Sequence, residues 1–117
     1  MKRILCLEND RAISRLIFAI LEKYDLIQVF SVEEALTKIN LEKFDLILLD
    51  DQLSDGYGLA LCQTIRKTDK ITPILLMIGA TLTTETEALE MGAQGILNKF
   101  SNTFVKDLLA KVENILV

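Results

Sequence analysis

Five short apolar runs, each followed by a helical pattern, constrain this chain more than any other feature. The runs are Ile4 to Leu7, Leu46 to Leu49, Ile74 to Ile78 and Ile96-Leu97, with Leu26 to Phe30 a weaker one interrupted by Gln28. A continuous apolar stretch of about four or five residues suits a strand buried on both faces, as a parallel sheet requires. Helical stripes lie between them. Ile13, Leu16, Ile17, Ile20, Leu21 and Tyr24 fall on one helix face, as do Phe104, Val105, Leu108, Leu109, Val112, Ile115 and Leu116. Ser31 to Glu34 reads as a capping box opening a helix through Asn40; Thr84 to Glu87 reads as another, with Gly92 as the C-cap. Gly58 to Lys67 supplies a middle helix. The order is βα repeated five times, which predicts an α/β domain with a five-stranded parallel sheet, right-handed crossovers and helices on both faces.

At 117 residues the chain reads as one domain spanning 1–117. Thirteen basic and seventeen acidic residues give a net charge of −4. That balance argues against direct binding to nucleic acid or an anionic membrane, both of which reward a basic face. There is no histidine. Ser-His-Asp and Cys-His catalysis, histidine zinc sites and imidazole acid/base chemistry are excluded together. Cys6 and Cys62 sit in apolar patterns and read as small buried hydrophobes in a reducing compartment. No run reaches the length of a membrane span, and Glu8 follows the basic start too soon for a signal peptide. The expected location is the cytoplasm.

A parallel α/β sheet places its chemistry at the carboxyl ends of the strands, near the topological switch point. Glu8-Asn9-Asp10 follows the first run and Asp50-Asp51 the third; Gly79-Ala80-Thr81 follows the fourth and Asn98-Lys99 the fifth. Carboxylates at two of these ends with a lysine at another predict an acidic pocket facing a cation. Asp10 reads as the cap of the first helix. Asp51 reads as solvated, its side chain turned away from that of Asp50 by strand alternation. Asp55-Gly56 is a turn signal. Gly56-Tyr57-Gly58 lacks the third glycine of a dinucleotide fingerprint and is set aside. Phe18 lies off the helix stripe beside Arg11 and Arg15, as a partner contact or an ordinary surface aromatic.

Over essentially its whole length the chain resembles the receiver domain of two-component response regulators. The resemblance rests on Glu8-Asn9-Asp10, on Asp45-Leu46-Ile47-Leu48-Leu49-Asp50, and on Leu53 and Gly58 at their spacing from Asp50. It continues with Met91-Gly92-Ala93 before Gly95-Ile96-Leu97-Asn98-Lys99. It implies a (βα)5 flavodoxin-like fold and a signalling switch rather than an enzyme. Carried over residue by residue, Asp50 is the phosphoacceptor and Lys99 the phosphate-contacting lysine. Glu8, Asn9 and Asp50, with the Gln52 backbone carbonyl, hold Mg²⁺. The implied donor is a sensor histidine kinase or a histidine phosphotransfer protein. A homodimer through the fourth helix, fifth strand and fifth helix is a further implied partner.

Several positions depart from the family pattern. The usual Asp-Asp pair is Glu8-Asn9, which lacks one formal charge and predicts weakly bound Mg²⁺. The proline expected four residues past the acceptor is Ser54. The hydroxyl residue expected at the end of the fourth strand is Ile78 counting from Pro73, or Met77 counting back from Lys99. The switch aromatic of the fifth strand is Ile96, and Phe100 stands where a proline follows the lysine. Thr81 is a candidate substitute hydroxyl. Two readings follow: a phosphorylation-dependent receiver, and a pseudo-receiver that docks partners without using the phosphate.

Overall fold

Runs with no polar face must be covered on both sides, and the architecture does this. The computed structural model describes residues 1–79 and 83–117. Its elements are β1 (Arg3–Leu7), α1 (Arg11–Ile20), β2 (Asp25–Val29), α2 (Val32–Leu41) and β3 (Leu46–Asp50). There follow a small hairpin, β4 (Gln52–Leu53) and β5 (Gly56–Tyr57), then α3 (Gly58–Arg66), β6 (Ile74–Ile78), α4 (Glu85–Glu90), β7 (Gly95–Asn98) and α5 (Phe104–Leu116). The main sheet is parallel, in the order β2-β1-β3-β6-β7. The predicted α/β fold, five parallel strands with helices on both faces, is the observed one.

Each face of the sheet carries its own core. Leu5, Leu7, Ile47, Leu49, Leu76 and Ile78 face α2, α3 and α4, meeting Ala35, Leu61, Ile65 and Ala88. Ile4, Cys6, Leu46, Leu48, Leu75 and Met77 face α1 and α5, meeting Ile17, Phe104, Leu108 and Val112. Both cysteines are buried and free, and burial pushes both thiols up. Alternation of strand side chains between two buried layers is why the runs carry no polar period.

The caps follow the sequence with one qualification. Thr84 and Glu87 close a full capping box on α4; at α2 the Ser31 side chain accepts from the Glu34 amide. Gly92 ends α4 with φ 101°, a left-handed conformation that suits glycine. Gly58 is required for another reason. A Cβ there would lie 2.4 Å from the Asp50 carbonyl oxygen, so only glycine lets α3 start against the end of β3.

Three local expectations are corrected. The stripe predicted α1 out to Tyr24, but the helix stops at Ile20; Leu21 and Tyr24 continue the apolar face from a turn held by the Tyr24 amide on the Leu21 carbonyl. Leu16 and Val105, placed on the two helical stripes, are 42 and 43 % exposed. Asp55 is more than a turn former: its carboxylate accepts from the Val32 amide at 3.0 Å and anchors the start of α2 on the hairpin.

Candidate functional site

The chain reverses its direction of growth across the sheet at β1, so the switch point lies between β1 and β3. Their carboxyl ends deliver Glu8-Asn9-Asp10 and Asp50 to one place, and the end of β7 delivers Lys99. The Lys99 amide donates to the Ile78 carbonyl at 2.8 Å, which fixes the lysine backbone against the end of β6. Its ammonium donates to Asp50 Oδ1 at 2.9 Å and to Glu8 Oε1 and Oε2 at 3.0 and 3.3 Å. The predicted acidic pocket facing a cation is present, and it is buried: the side chains of Glu8, Asp50 and Lys99 are 0, 3 and 9 % exposed.

Burial sets the electrostatics. Glu8 is raised to about 7, first by desolvation and also by the neighbouring Asp50, against the Asp10 amide and Lys99, which oppose the rise. Burial acts to lower Lys99, but hydrogen bonds to Asp50 and Glu8 outweigh it and its pKa rises. The lysine is therefore held charged beside the two carboxylates.

A cleft of about 410 Å³ opens above this trio, lined by Asn9, Asp10, Asp50, Gln52, Ser54, Gly79, Lys99 and Phe100 among others. Glu8 does not line it. Both Glu8 oxygens are engaged below, one also accepting from the Asp10 amide at 3.0 Å. Asp10 caps α1 as expected, its Oδ1 accepting from the Ala12 and Ile13 amides, and it also lines the cleft. Of the Asp50 oxygens, Oδ1 is held by Lys99 and, at 3.4 Å, by the Gln52 amide; no protein donor reaches Oδ2 among the described residues.

Asp51 is where the sequence reading fails. It is 3 % exposed instead of solvated, and Thr83 donates to its Oδ2 at 2.7 Å. Its amide donates to the Met77 carbonyl and its carbonyl accepts from the Gly58 amide, so the turn after β3 is tied to β6, α3 and the approach to α4. An acid directly after a strand end, facing a hydroxyl-rich stretch such as Thr83-Thr84, was the available signal.

Strand register resolves the two ways of counting the switch position. Asp50 pairs with Met77, and Ile78 ends β6. Met77 faces the α1–α5 layer, whereas Ile78 shares the opposite layer with Ile96, so Ile78 is the strand-end residue on the Ile96 side. Thr81 lies outside the described residues. Phe18 is exposed in a groove beside Arg11 and Arg15 that shares no lining residue with the cleft.

The sequence matches the response regulator receiver domain family over residues 4–113. The chain belongs to that family. Among curated relatives, the receiver is 34 % identical to the transcriptional regulatory protein CiaR of Streptococcus pneumoniae, covering 85 % of this chain and 45 % of that protein. It is 35 % identical to the alkaline phosphatase synthesis transcriptional regulatory protein PhoP of Bacillus subtilis, covering 96 % and 50 %. The chain thus spans about half the length of these relatives. Among solved structures, a two-component response regulator from Clostridium difficile superposes with a TM-score of 0.88 at 32 % identity, covering 99 % and 96 % of the two chains. The response regulator TrrA from Thermotoga maritima, solved with Mg²⁺ and a beryllium fluoride, gives 0.85 at 28 % identity, covering 98 % and 99 %. A receiver is a two-component signalling component rather than a classical enzyme. No described helix is long and apolar enough to cross a membrane.

The family typically binds Mg²⁺, and the donors lining the cleft suit it. These residues can offer oxygens: the Asp50 and Asp10 carboxylates, the Asn9 side-chain carbonyl and the Gln52 backbone carbonyl. Mg²⁺ takes one or two carboxylates and keeps several waters, for which the cleft has room. Among the described residues no group of three or more acidic or cysteine side chains is placed to hold a metal. Neutral oxygens and water would make up the rest of the shell.

Proposed function

We propose that this receiver accepts a phosphoryl group on Asp50 from the phosphohistidine of a kinase or phosphotransfer protein, with Mg²⁺, and relays the signal by changing its partner contacts. The observation that carries the reading is the Asp50–Lys99 pair at 2.9 Å beneath the cleft, with the second Asp50 oxygen free of protein donors among the described residues. That oxygen is the nucleophile on phosphorus. Lys99 keeps the other oxygen oriented and neutralises charge that spreads over the transferring phosphoryl oxygens. Asp50, Asn9 and the Gln52 carbonyl would hold Mg²⁺, which when bound would supply further charge neutralisation for the transfer. Glu8 sits below and acts on the site through Lys99, positioning its ammonium. The partner-facing surface in this proposal is the face of α4, β7 and α5, where Leu89 and Val105 are exposed and suit a second copy of the chain. Direct nucleic-acid binding is not part of it, given the net charge of −4.

Labelling with a small-molecule phosphoryl donor tests the assignment. One acid-stable, base-labile adduct is expected, and Asp50→Asn should abolish it. The alternatives are poor nucleophiles here: Asp51 is buried on Thr83, Glu8 is engaged with Lys99, and Asp10 spends an oxygen capping α1. Undiminished labelling of Asp50→Asn overturns the reading.

Mg²⁺ affinity should be low and improvable. Asn9 offers a carbonyl oxygen without charge, and Mg²⁺ sheds water reluctantly for neutral ligands. Asn9→Asp should tighten binding on the order of tenfold, the effect of one added charge a few ångströms from a divalent ion in a wet site. It should also lower metal-free stability, by repulsion with Asp50. A titration with no gain in affinity would place Asn9 outside the metal shell.

The second reading, a docking module that ignores the phosphate, is favoured by one observation. Ile78 and Ile96, at the two positions expected to carry a hydroxyl and an aromatic, are aliphatic and packed in the same core layer.

A further inference from the structure

Phe100 is the residue the receiver reading leaves unexplained. It follows Lys99 directly, lines the same cleft as Asp50, and is 70 % exposed. Its backbone is held on both sides: its amide donates to Asn98 Oδ1 at 3.0 Å, and the Lys99 amide donates to the Ile78 carbonyl at 2.8 Å. One ring edge lies against Gly79, where an added Cβ would sit 2.9 Å from Cε2. The missing side chain at Gly79 lets the ring lean on the end of β6 and form, with Leu53, the apolar part of the cleft lining. Asn9, Asp10, Asp50, Gln52, Ser54 and Lys99 supply the polar lining.

An aromatic ring beside a nucleophilic carboxylate can read the leaving group of the phosphoryl donor. We propose that Phe100 is a specificity-determining residue that packs on the imidazole of the incoming donor, favouring phosphoimidazole-type donors over acyl phosphates. This rests on Asp50 being the acceptor. In the step, the bond from the Asp50 oxygen to phosphorus forms while the phosphorus–nitrogen bond breaks. The electron pair leaves on that nitrogen, and an imidazole already protonated at its other nitrogen departs neutral, so no further proton is needed. The donor ring is planar and carries positive charge until transfer. Planarity rewards stacked or edge-to-face contact with a phenyl ring, and the positive charge rewards contact with its face. The acetate leaving group of acetyl phosphate has neither positive charge nor an aromatic face.

The test compares the second-order rate constants for phosphorylation of the intact domain by monophosphoimidazole and by acetyl phosphate, at saturating Mg²⁺. The ratio should fall about three- to tenfold in Phe100→Ala, the size of one aromatic contact. Phe100→Leu, which keeps an apolar wall without a π-system, should lose the preference as well. Phe100→Trp should keep or enlarge it. Gly79→Ala, which pushes the ring off β6, should lower the ratio with Phe100 present and have little effect in the Phe100→Ala background. An unchanged ratio in both Phe100→Ala and Phe100→Leu, with Asp50 still labelled, overturns this inference alone. Failure of both donors to label Asp50 in the wild type overturns the acceptor reading and the inference with it.

Discussion

Lys99→Met is expected to destabilise the domain by about 3–5 kcal/mol at pH 8, and by less at pH 5.5. Removing the cation from a buried group of charges leaves the remaining ones uncompensated, which costs about that much. Here the orphans are Glu8 and Asp50, at 0 and 3 % side-chain exposure. The pH dependence follows from Glu8, whose folded pKa is raised from 4.5 to about 7. A raised carboxyl pKa means that the folded state binds the proton more tightly than the unfolded state. Its stabilising contribution is full below the unfolded value and is lost as pH rises through the folded one. Without Lys99 the Glu8 value rises further, so Glu8 keeps its proton at pH 5.5 and, once ionised at pH 8, repels Asp50. Urea midpoints of the chelated protein at the two pH values measure this. Adding Asp50→Asn should recover much of the loss at pH 8. Equal midpoints for wild type and Lys99→Met at both pH values would show that the three groups do not act as a buried cluster.

Occupation of Asp50 is expected to move the α4–β7–α5 face only slightly. In the family a hydroxyl at the end of the fourth strand bonds the phosphoryl group, and an aromatic on the fifth strand turns in behind it. Ile78 can donate no hydrogen bond and is packed in the core at 9 % exposure; Ile96 has no ring to turn. A ligand shifts a conformational equilibrium only by its differential interaction with the two states. The missing charge-assisted bond is worth about 1.5–3 kcal/mol, as large as a typical allosteric coupling of about 1–3 kcal/mol. Amide shifts on adding beryllofluoride with Mg²⁺ should therefore concentrate at the strand ends and stay small in Glu85–Glu90 and Phe104–Leu116. Ile78→Thr should enlarge them. Large shifts across residues 81–116 that survive Thr81→Ala would reveal a coupling route other than either hydroxyl.

What the sequence discloses divides along physical lines. β1, β3 and β6 are legible because a strand buried on both faces leaves an uninterrupted apolar run. The edge strand β2 is less so, with Asp25 at its start held by Arg3 at 3.2 Å and only Val29 fully buried. α1 overshoots because Leu21 and Tyr24 extend its stripe through a turn, where burial continues without helical hydrogen bonding. Asp50 and Lys99 are legible because both stand at strand ends, where topology brings residues distant in sequence together. Asp51 is misread because its burial depends on Thr83, whose approach comes from a loop that no periodicity describes. Glu8 is placed at the site but not at its true depth, since only the position of Lys99 decides which side of the cluster it occupies. Phe100 has no signal without Gly79, and that contact exists only in three dimensions.

The central claim is that the Asp50–Lys99 pair beneath the cleft is a working phosphoryl site. Binding of beryllofluoride in the presence of Mg²⁺, followed by the amide resonances of Asn9, Asp50, Gln52 and Lys99, tests it most directly. The account predicts saturable shifts at these residues that require Mg²⁺ and disappear in Asp50→Asn. Shifts that are absent in the wild type, or that persist unchanged in Asp50→Asn, would contradict it.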